Sequence, residues 1–204
     1  GPQIYKLYAT GEYQQMNRLV CNTAKYSSYL LILIGLPVFI KTEILIRLWL
    51  GNIPEYVIPF IRITLIELFF KAIDFPIGNG IHAFGKMKLP NITSSIAYIS
   101  VLPLTYIFLR LGASPVIAYI IACVSYPLAM ACDLWILNIF SGFDIKFYLL
   151  HVPLKSILII LLSAILPVFV SNSFEDGWLN LIATSAVCAV VSATFVFYIG
   201  LDAE

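Results

Sequence analysis

Long apolar runs broken by short polar punctuation organise the chain from about residue 27 onward. Six of them approach the roughly 20 residues that an α-helix needs to cross the hydrocarbon of a bilayer at about 1.5 Å per residue. They run from about Ser27 to Ile46, Val57 to Phe75, Asn91 to Leu109, Pro115 to Phe140, Phe147 to Val170 and Trp178 to Ile199. None shows the alternating ten-residue pattern of a barrel strand. The predicted fold is all-α, a polytopic six-helix bundle, and its short connections make successive helices antiparallel neighbours. Ahead of the first run, residues 10–25 are too polar to span. Tyr13, Met16, Leu19 and Val20 recur at helical spacing against Glu12, Gln14, Gln15, Asn17 and Arg18. This stripe predicts an amphipathic helix on the membrane surface. The chain thus divides into a surface segment, residues 1–26, and a transmembrane lobe, residues 27–204.

Composition sharpens the picture. Of 204 residues, 61% are hydrophobic and 11% charged, against roughly 45–50% and 25% in a soluble domain. A water-soluble domain and a disordered chain are both excluded. A net charge of +1 without a basic tract argues against a nucleic-acid partner. Cys21, Cys123, Cys132 and Cys188 lack CxxC or metal-ligand spacing and read as inert thiols. The polar opening has no signal-peptide order. Gly1 in place of a methionine and the end at Glu204 lead us to expect a piece of a longer protein.

The basic residues set an orientation. With alternating helices, Lys6, Arg18, Lys25, Lys86, Lys88 and Lys146 fall on one side. Arg47 and Arg110, with Glu55, Glu175 and Asp176, fall on the other. Basic loops stay inside, so both ends of this segment are expected in the cytoplasm. Trp49 and Trp178 then mark the outer interface and Trp135 the inner one.

Charges within the hydrocarbon cost roughly 2.5–3.5 kcal/mol each at mid-helix, so each calls for a reason. The second run carries four: Arg62, Glu67, Lys71 and Asp74. Glu67 and Lys71 stand at i,i+4 and Lys71 and Asp74 at i,i+3, a self-neutralising face directed at protein or water. Arg62 is about 140° around the helix from Glu67, at about 100° per residue, and is not neutralised from within. Asp133, in the fourth run, suits a proton or cation site, or the partner of Lys71 or of Lys155. Lys41, Glu43 and Lys155 lie near helix ends and can snorkel. Pro37, Pro103, Pro127, Pro153 and Pro167 are expected to bend their helices, Gly35 softening the first further. Such bends suit a bundle that flexes or encloses a cavity.

Two motifs fail. Gly80 to Lys86 reads GxxxxGK, but Met87 stands where a phosphate loop needs Ser or Thr, and no strand precedes it. The sequon Asn91-Ile92-Thr93 falls at the inner face. His82 and His151 are single, and no HExxH or GxSxG occurs, so no enzyme, metal or cofactor is expected.

A resemblance rests on dispersed pieces in order. These are Ile4-Tyr5-Lys6-Leu7-Tyr8-Ala9 with Gly11-Glu12, Leu48-Trp49-Leu50-Gly51, Phe60-Ile61-Arg62-Ile63, Gly85-Lys86-Met87-Lys88 and Gly200-Leu201. Together they resemble the C-terminal half of a bacterial polysaccharide-biosynthesis flippase. That is the O-antigen type of the multidrug/oligosaccharidyl-lipid/polysaccharide exporter superfamily. The resemblance implies one lobe of a two-lobe inner-membrane transporter whose N-terminal lobe is missing here. It further implies transfer of a polyprenyl-diphosphate-linked oligosaccharide from the inner to the outer leaflet, with membrane lipids as further partners. A diphosphate needs cations in a wet cavity, for which Arg62 and Lys71 are the candidates, with Glu67, Asp74 and Asp133 as coupling or structural charges. A multidrug-type cation-coupled antiporter lobe and a non-transporting scaffold of a glycan-assembly complex are the alternatives.

Overall fold

A computed structural model describes residues 2–173 and 177–200; Glu175, Asp176 and Leu201 lie outside them. The described residues form no strand. The helices are α1 (Pro2–Ala9), α2 (Tyr13–Ile40), α3 (Thr42–Leu50), α4 (Val57–Ala83), α5 (Lys88–Arg110), α6 (Val116–Ser141), α7 (Ile145–Leu149), α8 (Lys155–Ser173) and α9 (Trp178–Phe195). A π-helical turn, Leu150–Leu154, joins α7 to α8, and a second, Val196–Gly200, extends α9.

Five segments are long and apolar enough to cross a membrane: Tyr13–Ile40, Lys88–Arg110, Val116–Ser141, Ile145–Ser171 and Trp178–Gly200. The chain is a multi-pass α-helical membrane protein. The expected second span exists as α4, at 27 residues, but its four charges keep it out of that set. Charge, not length, separates five from six.

The core is mainly apolar but also encloses polar side chains. Ser28, Ser156, Ser163, Asn180, Thr184 and Ser192 are completely buried, while the most apolar stretch of α5 has no buried residue. Lipid tails are as apolar as leucine, so the outside can be greasy while polar side chains bond within. The hydroxyls of Ser28 and Ser156, 2.8 Å apart, link α2 to α8 in this way.

The helices form a row. α5 packs on α6, α6 on α4 and α4 on α2, while α2 also contacts the paired α8 and α9. At one end Asn17 reaches the Ser141 carbonyl, and Phe84 stacks with Phe140. At the other, Phe60 stacks on Tyr119, and Lys41 donates to Ser171. These contacts make α4 and α6 parallel, and likewise α2 and α8, while α4 runs antiparallel to α2. Sequence neighbours alternate in direction, but row neighbours do not all do so. Lys6, Arg18, Lys25, Lys86, Lys88 and Lys146 gather at the first end, and Arg47 and Arg110 at the second.

Three expectations meet a different structure. No break separates residues 1–26 from the rest, because α2 runs unbroken from Tyr13. Of the stripe expected on the membrane surface, Met16 and Val20 are fully buried and, with Ala24, packed into the core with Ile77, Ile81 and Leu137; Leu19 is partly buried against it, and Tyr13 is exposed. Gly80 permits this: a Cβ there would stand 3.2 Å from Leu137 Cδ1 and 3.4 Å from Val20 Cγ2. Lys41 does not snorkel. It is 3% exposed, at the break where α2 stops and α3 begins. Finally, α4 continues past Phe75 through Pro76 to Ala83. Proline removes the amide for the Ala72 carbonyl, and the adjacent Ile73 carbonyl accepts the buried Tyr148 hydroxyl at 2.7 Å. Trp49, Trp135 and Trp178 are all exposed, as interface anchors should be.

Candidate functional site at the centre of the row

α4 occupies the middle of the row and carries its charges on two opposite faces. Arg62 and Lys71 are nine residues apart, about two and a half turns. The Arg62 side is continuous with Phe69, Ile73 and Gly80, which face the core. Its guanidinium sits 5.5 Å from the centroid of the Phe39 ring of α2, and its Nε is buried without an acceptor. Arg62 forms no ion pair among the described residues. A ring face attracts a cation but takes none of its five hydrogen bonds.

Lys71 points the other way, toward α5 and α6. Its ammonium is 2.6 Å from Glu67 Oε1 and 4.7 Å from the centroid of Tyr126. The Lys71 side chain is 45% exposed and that of Glu67 16%, so the pair is anchored on the bundle and opens outward. Beside it lies a groove of about 370 Å³ lined by Lys71, Asp74, Phe75, Tyr98 and Tyr126. The rings of Tyr98 and Tyr126, 5.3 Å apart, form its aromatic wall.

The three-membered ladder on α4 is only partly formed. Glu67 and Lys71 pair, whereas Asp74 lines the same groove without bonding to Lys71, and its Oδ1 is buried with no donor. Asp133 of α6 is 6% exposed. It takes neither Lys71 nor Lys155 as partner, and its Oδ1 is also buried without a donor. The two carboxylates lie within electrostatic reach of each other. Each keeps one carboxylate oxygen shut away from water without a donor, which is costly.

The structure therefore joins Glu67, Lys71 and Asp74 at one groove, sets Asp133 behind it, and places Arg62 on the opposite face. Tyr98, Tyr126 and Phe75 were not anticipated. Midspan tyrosines were a legible signal, since a phenol in hydrocarbon needs a partner. No group of three or more His, Cys, Asp or Glu converges to hold a metal among the described residues. The described cysteines are all unbridged.

Comparison with known proteins adds no identity: no family model, no curated protein and no solved structure matches this chain.

Proposed function

We propose that this chain is one lobe of an inner-membrane flippase that carries a polyprenyl-diphosphate-linked oligosaccharide between leaflets. The observation that carries the reading is Lys71, a cation nearly half exposed near the midpoint of α4. Toward lipid that placement costs roughly 2.5–3.5 kcal/mol; toward a wet cavity it is what an anionic cargo requires. In this reading α4 is the sixth crossing helix, and its charged groove is one wall of a cavity that a second lobe closes. The aromatic wall of Tyr98 and Tyr126 suits sugar faces, and Lys71 suits the phosphate. Arg62, on the far face of α4 against Phe39, is not part of this wall. An inside-negative potential favours outward movement of the anion by roughly 2.3 kcal/mol per charge per 100 mV.

A second reading has its own support. Asp74 and Asp133, each with one carboxylate oxygen buried without a donor, suit proton or cation coupling, as in a multidrug-type antiporter lobe. Proteoliposomes of the complete two-lobe protein separate the two. We expect translocation of lipid-linked oligosaccharide that Lys71→Met reduces strongly and Lys71→Arg largely retains. Drug efflux abolished by Asp133→Asn, with no oligosaccharide movement, would establish the antiporter instead.

A further inference from the structure

A second, larger cleft lies at the end of the row where the basic residues gather. It has a volume of about 750 Å³ and opens between the polar first half of α2 and the α7–α8 junction. The chain brings Arg18 and Lys25 from α2 together with His151 and Lys155 from segments more than 120 residues later. Lys25 and Lys155 are close enough to repel one another. Folding that assembles like charges at one mouth is unfavourable unless an anion, or water, screens them.

The acid among the lining residues is Asp144, and its Oδ1 accepts the Phe147 amide at 2.9 Å as a helix cap. The cleft lining thus gathers three cationic side chains around one carboxylate, which caps a helix. His151 is held flat against the Phe147 ring, centroids 4.0 Å apart, with Nδ1 2.9 Å from the Phe147 carbonyl. With Nδ1 donating to that carbonyl, Nε2 contacts an anion as a donor only in the imidazolium form. Phe143 and Phe147 also line the cleft, giving it an apolar flank beside the cations.

We infer that this cleft binds a phosphate group of at least two negative charges, held by Arg18, Lys25 and Lys155 with His151 as a fourth contact. Arginine supplies a fork for phosphate oxygens and the lysines supply point charges. The source is either a lipid headgroup at the membrane surface or a soluble phosphate. The site lies away from the α4 groove and does not depend on what that groove carries.

The test uses the purified chain in two settings. In neutral detergent micelles it is titrated with inorganic diphosphate. In phosphatidylcholine nanodiscs it is compared with and without phosphatidic acid. Thermal unfolding is the readout in both. We expect a rise in the midpoint in at least one setting; a rise with diphosphate identifies a soluble ligand, and one with phosphatidic acid alone identifies a headgroup. Lys25→Gln and Lys155→Gln should each weaken binding by about tenfold, the loss of one charge-assisted contact. Lys25→Arg and Lys155→Arg should retain it and show that the fold tolerates change there. No shift with either ligand, or glutamine variants that bind like the native chain, would overturn the inference.

Discussion

Neutralising the Glu67–Lys71 pair one partner at a time tests whether the α4 groove faces water or protein. The two groups are 2.6 Å apart, with Lys71 nearly half exposed and Glu67 mostly covered. Exposed pairs contribute about 0.2–1 kcal/mol, whereas breaking a buried pair costs about 3–5 kcal/mol. This pair stands between the limits, and the asymmetry of burial fixes which single change hurts more. Glu67→Gln leaves a lysine that retains solvent and the Tyr126 ring, so it should cost less than about 1 kcal/mol. Lys71→Met leaves a mostly buried carboxylate without its cation and should cost about 2 kcal/mol. The double variant should be more stable than the sum of the singles predicts, with a coupling of about 1–2 kcal/mol. Denaturant unfolding in neutral micelles, followed by helical circular dichroism, measures all four corners of the cycle. Additivity within about 0.5 kcal/mol would refute the reasoning: the charges would be solvated independently and the groove would not hold them as a unit.

Gly80→Ala should leave stability within about 1 kcal/mol of the native value, its helix-propensity gain offset by the approach to Leu137 and Val20. Gly80→Leu should cost about 1–3 kcal/mol by overpacking, read in the same unfolding assay. Tyr148→Phe removes the bond to the Ile73 carbonyl and should cost about 1–2 kcal/mol. Hydrogen exchange should accelerate around Pro76, and unchanged protection there would contradict the bracing role. Cysteines at Asn52 and Lys88, in a background lacking the four native thiols, should label from opposite sides of intact cells with an impermeant reagent. Labelling of both from one side would sink the alternation of helices.

Much of the bundle was legible because hydrophobic length is a strong signal, and each run overlaps a long helix. The first run nevertheless begins halfway along α2 and passes Lys41 into α3, and the second stops short of the end of α4. What sequence could not decide was direction. Met16, Val20 and Ala24 form an apolar stripe whether they meet lipid or protein; only the placement of Gly80 and Leu137, far along the chain, selects protein. The charges of α4 were correctly separated into two faces by their spacing, since a helix fixes angles internally. Which face looks at α2 and which at α5 and α6 depends on the packing order of the row, and no local pattern encodes that. Asp133 was recognised as costly, but its choice among proton, Lys71 and Lys155 depended on distances across helices. Lys41 misled for the same reason: a long cation near a helix end usually finds solvent, and here Ser171 reaches it first.

The π turn at Leu150–Leu154 gives the α7–α8 junction a length rule of its own. Tyr148, Val152 and Ser156 are all buried and four residues apart. Over those eight positions a regular α-helix would rotate about 80° off a common line. The wider turn absorbs that rotation, as a helix carrying one surplus residue must, and it does so at Pro153, where an amide is missing in any case. Excising the exposed Leu150 would restore ordinary winding and bring Tyr148 and Ser156 within about 20° of alignment. Both halves would then keep their partners on α2 and α4. The same deletion three turns further along α8 would swing Ser163 and everything after it out of phase. One stretch of this chain can thus lose a residue without losing its register, which makes it a natural site of length variation among sequences sharing the fold.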